Sequence, residues 1–397
     1  MYLDRASPIF GPRTVGRQRL VRDLNLRAIY ERLAVEGPIS RAGLARALEL
    51  SPTSVGRIAE VLLSAGLVEE GDRMASGVGR PQTLLRARAD TAVVAGVSIR
   101  SRSLRVHLAD LDGHVIATER RDRSDESATA LADQVAGLIG DMAATTAPGR
   151  PIATVVIGIS GVWNEAERVV YAAPNLQVLE GVDARAVFDA ALNDVMLDDT
   201  VLLDNDINLA AVSEHVYGAA QDVVDFFYLS LGSGVGGAAM MAGAVQRGAQ
   251  GFVGELGYLP VCVAGRVGSL ESFVARRPLE RMARDAGVVV DGNDVFEALE
   301  RNDPALAPIG EHVAGILAQA LVAVVTMLDP VRIVLGGGIG RHGAPWTEAI
   351  HQQLGKYVPN VPEIVPTAIG REASLLGAVA QACSMARGVL VARAAGA

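Results

Sequence analysis

Apolar residues recur at helical spacing near the start of the chain, at Leu20, Leu24, Ala28, Ile29 and Leu33. This predicts a helix from Leu20 to Val35 with those side chains inward. Gly37-Pro38 stops it. Ser40 is placed to cap a short helix, Arg41 to Leu48, and Ser51 to cap a third that runs to about Ala65, with Gly66 where a C-cap belongs. Leu67-Val68 opens a strand, Gly71 to Gly79 is turn-rich, and Thr83 to Leu85 reads as the returning strand. Residues 1–18 show no periodicity and are rich in Arg, Pro and Gly, which predicts a flexible arm.

After about Asp90 the pattern changes. Residues 93–99, 104–110 and 115–120 read as consecutive strands, with Asp112-Gly113 as a hairpin turn between the last two. A helix over about 128–144, a strand at 153–159, a loop with Trp163 and a helix near 183–193 follow. A short strand, Val201 to Leu203, leads into a helix from Ile207 to Tyr217. Strands near 226–231 and 235–241 flank a glycine loop, residues 309–328 form a long helix, a strand at 331–335 ends in Gly336-Gly337-Gly338, and a last helix spans about 373–386. Strands followed by helices, twice over, predict two α/β lobes with a cleft between them. The expected division is an arm over 1–19, a first domain over 20–88 and a second over 89–397.

Charge sharpens that division. The net charge of −9 hides a first 90 residues at +4 and a remainder at −13. A basic piece on an acidic body predicts that only the N-terminal piece meets phosphate. Two cysteines make no disulfide framework and fit a reducing compartment. The N-terminus lacks an apolar run of secretory type, and the longest apolar stretch, Gly315 to Leu328, is short for a bilayer. The expectation is a cytoplasmic protein with no membrane partner.

The segment Ile39 to Leu67 has the organisation of a helix-turn-helix. Its first helix turns Leu44, Ala45 and Leu48 inward, a tight turn follows at Glu49-Leu50-Ser51, and the next helix buries Val55, Ile58, Leu62 and Leu63. Ser51, Thr53, Ser54 and Arg57 are left at the end and face that meet base edges in such motifs. Gly77 to Pro81 lies between the two short strands as a wing would, with Gly79, Arg80 and Pro81 as its contact residues. The helices alone would equally suit a protein-interaction module. The wing, the local charge and the turn point to double-stranded operator DNA.

In the second domain, Leu231-Gly232-Ser233-Gly234-Val235-Gly236-Gly237 lies between two strands, where glycines let a phosphate approach the backbone, although tight hairpins need them too. Gly336 to Gly340 ends a strand before a helix, a better placement for a nucleotide. Asp204-Asn205-Asp206 opens a helix, which simple capping would also explain.

Taken together these motifs resemble the ROK family of repressors and sugar kinases, which share an actin-like ATPase fold. The resemblance runs from about Asn25 to Ala386. It implies an α/β fold class, an N-terminal winged helix-turn-helix followed by a two-lobed sugar-kinase-like domain. DNDINLAA (204–211) is similar to the family's sugar-binding and catalytic segment, in which Asp206 would be the base. Residues 229–261 are similar to its second phosphate loop and the sugar-binding stretch that follows. Asn205, Asp206, Glu255 and Glu271 match positions that bind sugar hydroxyls, and Tyr258 stands where the family has a His.

The departures carry as much information. Kinases of the family open this domain with an Asp-Ile-Gly-Gly-Thr loop that holds metal and phosphate. Here it is Ser98-Ile99-Arg100-Ser101-Arg102. The family's structural zinc site, one His and three Cys, falls on Tyr258, Cys262, Ala264 and Ser269, too few ligands for zinc. The resemblance therefore implies a homodimeric or homotetrameric repressor with a sugar or sugar-derivative effector, no catalytic residue, no metal and no cofactor. An active ATP-dependent sugar kinase that also binds DNA, and a ligand-independent DNA-binding scaffold, are the alternatives.

Overall fold

The structure, a computed structural model, describes residues 17–74, 82–123, 126–197, 201–287 and 306–396. The chain divides into two compact units, one of residues 1–92, 110–112 and 384–397 and the other of residues 93–109 and 113–383.

The first unit contains α1 (Arg17–Glu36), β1 (Ile39–Ser40), α2 (Arg41–Ala47), α3 (Pro52–Ser64), β2 (Val68–Met74) and β3 (Gln82–Ala87). The strands form an antiparallel sheet in the order β1-β3-β2. Both serine caps form as the sequence predicts. Ser40 Oγ accepts from Gly43 N at 3.1 Å and Ser51 Oγ accepts from Ser54 N at 3.1 Å. The inward face of α1 differs from the expected one. Leu26, Ile29, Tyr30 and Leu33 are buried, while Leu24 is 58% exposed. The two candidate stripes share Ile29 and Leu33, and only packing against α3 and β3 chooses between them. In α3, Val55, Ile58, Ala59 and Leu62 are buried, and Leu63, expected inward, is half-buried. Strand β2 continues to Met74, with Arg73 and Met74 paired to Thr83 and Gln82 beyond a register shift at residues 71–72.

The second unit holds two five-stranded sheets. The first has the order β10-β7-β4-β5-β6, built from β4 (Val93–Ile99), β5 (Ser103–Ala109), β6 (Val115–Asp122), β7 (Ile152–Ile159) and β10 (Leu202–Asn205). The three strands β10, β7 and β4 run parallel. Their burial at every position of β4 and β7 matches the near-continuous apolar runs in the sequence. Helices α4 (Ala128–Thr146) and α5 (Ala184–Leu192) cover one face through Leu131, Val135, Ile139 and Phe188. The second sheet has the order β13-β12-β11-β16-β17, from β11 (Phe226–Leu231), β12 (Val235–Met241), β13 (Ala244–Gln246), β16 (Arg332–Gly336) and β17 (Glu363–Pro366). The long helix α9 (Ala307–Leu328) and α11 (Ala344–Leu354) pack there through Leu317, Leu321, Trp346 and Ile350.

Two further helices face these sheets. The helix α6 (Asp206–Tyr217) lies on the second sheet through Ala210 and Ala211, against Phe226, Tyr228 and Ala238. The helix α12 (Ala373–Gly396) lies on the first, where Thr154 Oγ1 donates to the Ala382 carbonyl at 2.9 Å. It extends well past the expected end at Ala386. Within the extension, Gly388 has only the tip of Arg27 within 4 Å of a would-be Cβ. Glycine weakens a helix without ending it. Two described helical stretches, Ala307–Leu328 and Gly370–Gly396, are long and apolar enough to cross a bilayer, but about half of each apolar window is buried inside the fold, 50% and 56%. They read as core helices.

Helices α6 and α12 meet at a glycine. A Cβ on Gly377 would lie 1.7 Å from the Leu209 carbonyl oxygen. Gly377→Ala is therefore expected to lower unfolding stability by about 1–3 kcal/mol through overpacking. Gly137→Ala, on the open face of α4 with nothing within 4 Å, should gain about 0.5–1 kcal/mol. Urea melts of the two variants check both signs.

Candidate functional site

Parallel pairing places three strand ends side by side. Ile99 of β4 pairs with Ile159 of β7, and Ile159 pairs with Asn205 of β10. The next residue on each chain is Arg100, Ser160 and Asp206, so these three form a row along one sheet edge, about 4.8 Å from strand to strand. Such edges are where α/β folds bind ligands.

Asn205 caps α6. Its Oδ1 accepts from Ile207 N at 2.7 Å and Asn208 N at 3.4 Å, and its Nδ2 donates to the Gly161 carbonyl at 2.8 Å. Much of the amide predicted to bind a ligand is thus committed to structure, with one Nδ2 hydrogen left to offer. Asp206 keeps part of its surface open, and Ser160 Oγ donates to its Oδ2 at 2.7 Å. Burial pushes the Asp206 carboxyl above the usual carboxylate range, against the pull of the Ser160 hydroxyl and the Arg100 guanidinium. Behind them, the fully buried Asp204 accepts from Arg247 Nε at 3.1 Å and from Asn208 Nδ2 at 2.8 Å.

Glu255 and Glu271 complete the predicted carboxylates. Burial raises Glu255, and Asp206 and Glu271 raise it further, so the three groups share one electrostatic neighbourhood. Glu271 Oε2 accepts from Val235 N at 3.0 Å, which ties it to the glycine loop between β11 and β12. Tyr258 is 60% exposed and its ring lies 5.4 Å from that of Phe252. The loop that carries Glu255 is pressed between two walls. Gly251 (φ +74°) would place a Cβ 2.0 Å from the Trp163 carbonyl oxygen, and Gly254 (φ +95°) one 2.1 Å from that of Gly237.

A nucleotide and a zinc ion are the groups this fold implies, and the residues present fit neither. The turn after β4 is closed by Arg100 N donating to Ser103 O at 3.0 Å, and Ser98 is buried within the strand. Arg100 stands where a phosphate loop needs glycine. The Gly336-Gly337-Gly338 run has a packing reason of its own. A Cβ on Gly336 would meet Tyr228 Oη at 2.0 Å, and one on Gly337 would meet the Leu231 carbonyl at 2.4 Å. Of the four zinc positions, Ala264 has no donor, and Cys262, Ala264 and Ser269 lie on a hairpin of β14 (Pro260–Val263) and β15 (Arg266–Ser269). Ala264 and Gly265 turn it with φ of +49° and +78°. The hairpin is held by the antiparallel backbone pairing of Pro260–Val263 with Arg266–Ser269.

In the first unit, Ser51 and Thr53 are exposed, Ser54 is half-buried and Arg57 is exposed. Glu49, at φ +53°, makes the tight turn between α2 and α3. Ser54, Arg57, Ile58 and Val61 of α3 line a groove of about 770 Å³ with Val21, Arg22 and Asn25 of α1. The wing residues Gly79, Arg80 and Pro81 lie outside the described residues.

Sequence reasoning missed Ser160, Arg247 and Tyr171. For Ser160 the signal was present, a small residue after the strand Ile152–Ile159 that parallels β10. Arg247 pairs with Asp204 across 43 positions of sequence, and nothing local marks it.

A capped helix-turn-helix ahead of two α/β lobes with carboxylates at a strand edge defines a helix-turn-helix unit joined to a sugar-kinase-like domain. Residues 94–384 match the ROK family, and the chain belongs to it. It is 25% identical over 354 residues to the DNA-binding transcriptional dual regulator NagC of Escherichia coli K12, covering 83% of this chain and 84% of the relative. It is 23% identical to the xylose repressor of Bacillus spizizenii, over 91% of this chain and 96% of the relative. A solved ROK family transcriptional regulator, a homologue of the E. coli MLC protein, superposes with a TM-score of 0.80 at 21% identity over 95% of this chain and all of that one. The ROK hexokinase of Thermus thermophilus superposes at 0.61 and 27% identity over 98% of its own length but 74% of this chain. The fold is thus the actin-like, two-lobed one.

The folded state holds the Asp206 proton more tightly than the unfolded chain does. Its protonation stabilises the fold at low pH, and that contribution is lost as pH rises through the elevated folded value. Asp206→Asn is expected to melt higher than wild type at neutral pH, by on the order of 1 kcal/mol. The gap should close as pH falls. Thermal melts between about pH 4 and 8 read it, and a gap that widens toward acid would contradict the assignment.

Proposed function

We propose that this protein is a sugar-responsive transcription repressor whose ROK domain binds its effector without phosphorylating it. The observation that carries the reading is the row Arg100, Ser160, Asp206. Its carboxylate end keeps the hydroxyl-binding chemistry of Asp206 and Glu255, since ionised carboxylates accept paired hydrogen bonds from vicinal hydroxyls. Its other end presents an arginine where phosphate transfer needs a metal tether and open backbone. Two relatives aligned over most of this chain are named as regulators. The hexokinase leaves about a quarter of this chain unmatched.

DNA contact is assigned to Ser51, Thr53, Ser54 and Arg57 of the capped α3, with Gly79, Arg80 and Pro81 as the wing. A homodimer would set two such helices about 34–36 Å apart on a palindromic operator. A sugar shifts DNA affinity only by binding the two states of the protein differently, and movement between the two lobes of the second unit is the proposed switch. The kinase reading keeps one support, the retained Asp206 in a family that includes hexokinases.

On an operator selected from a random DNA pool, Arg57→Ala should weaken binding by about 1–3 kcal/mol if the arginine pairs with a base. Binding should also fall steeply with salt. An unchanged affinity would displace α3 as the recognition helix. A coupled assay with ATP and a panel of hexoses should show no turnover, and turnover abolished by Asp206→Asn would establish the kinase instead.

A further inference from the structure

A cavity of about 400 Å³ lies beside the carboxylate site and is lined by Asn164, Glu167, Tyr171, Gln250 and Phe252. One wall is the hairpin of β8 (Val162–Asn164) and β9 (Val169–Tyr171), and the other is the loop before Glu255. None of these residues belongs to the predicted hydroxyl-binding set.

Its lining is of an unusual kind for an incidental gap. The Asn164 side chain is buried, and its Oδ1 is used by Ala166 N at 3.0 Å and Glu167 N at 3.1 Å. Among the described residues its Nδ2 has no hydrogen-bond partner, and the exposed Glu167 carboxylate and Gln250 amide stand at the cavity rim without one. Two rings, Tyr171 and Phe252, complete the lining. Phe252 is 44% exposed. Uncommitted amide and carboxylate groups between aromatic faces are what a pyranose ring requires, with hydroxyls at its rim and C–H groups on its faces.

The walls are held in place without a ligand. Tyr171 Oη donates to the Gln250 carbonyl at 2.7 Å, which joins hairpin to loop. Gly251 is pressed on the Trp163 carbonyl. Trp163 Nε1 donates to Glu165 at 2.7 Å, and Glu165 pairs with Arg185 at 2.6 Å. The cavity also adjoins the first site, since its lining residues Gln250 and Phe252 precede Glu255 on one loop. Glu255 and Glu167 both raise the Tyr171 hydroxyl, after burial, and Glu255 in turn is raised by Asp206.

We propose that this cavity is a second sugar subsite, and that the effector is a disaccharide with one ring at Asp206 and Glu255 and the next between Asn164, Gln250, Tyr171 and Phe252. The proposal rests on the reading that a sugar binds at Asp206. Calorimetry on the full chain with cellobiose, xylobiose and N,N′-diacetylchitobiose, each against its monosaccharide, tests it. The expected result is one disaccharide that binds at least about tenfold tighter than its monomer. Phe252→Ala and Gln250→Ala should each bring the disaccharide to within about threefold of the monomer while leaving the monomer unchanged. Asp206→Ala should lose both. Equal wild-type affinity for monomer and disaccharide, with Asp206 still required, overturns the second subsite and keeps the first. Phe252→Ala and Gln250→Ala variants that bind the disaccharide like wild type, or that weaken the monomer equally, also overturn it. No binding of any of these sugars overturns both readings.

Discussion

An α-helix begins with N–H groups that nothing inside the helix can satisfy, and Asn205 meets that demand at the point from which the candidate site is built. Its carbonyl oxygen takes the first free N–H groups of α6, and its NH₂ reaches across to the Gly161 carbonyl at the end of β7. One side chain thereby starts α6 and ties two strand ends together. With that link made, Asp206 opens the helix next to Ser160. The buried pair of Asp204 and Arg247 stands behind both. A buried carboxylate without its guanidinium would be costly, so the loop that delivers Arg247 is part of the same construction.

The site's charge balance follows from what replaced the phosphate loop. Asp206 and Glu255 are two carboxylates near one another, both pushed toward the protonated form by burial. In a nucleotide-using enzyme a metal ion could supply the balancing positive charge. Here the Arg100 guanidinium, two strands away at the end of β4, draws the Asp206 carboxyl down in part against burial. The side chain that replaces a glycine of the kinase pattern thus contributes to the electrostatics of the Asp206 carboxylate.

Much of this was legible in the sequence because it is local. Caps at Ser40 and Ser51, the apolar runs of β4 and β7, and the Asp112-Gly113 turn are short-range chemistry, and each forms where the residues place it. What escaped is of two kinds. Three-residue strands such as β8, β9 and β13 are too short to show a period. Long-range partners such as Arg247 and Tyr171 carry no local mark. The stripe on α1 was ambiguous for a third reason, since two overlapping faces shared Ile29 and Leu33 and only tertiary packing decided between them. The glycines of residues 336–338 were visible, but the packing of Gly336 against Tyr228 and of Gly337 against Leu231 needed the folded neighbours.

The loop before Glu255 has a consequence for how specificity can diverge among proteins of this design. Its backbone is fixed by Gly251 and Gly254, which admit no side chain against Trp163 and Gly237. Between and beside them, Gln250, Phe252 and Val253 are exposed. Backbone constancy and side-chain freedom are thus separated within a few residues. For the proposed second subsite such a segment is a cassette, in which substitutions at 250, 252 and 253 would change the cavity rim while the fold and the carboxylate row stay as they are. A library confined to those three positions would search ligand preference with little burden of misfolded variants.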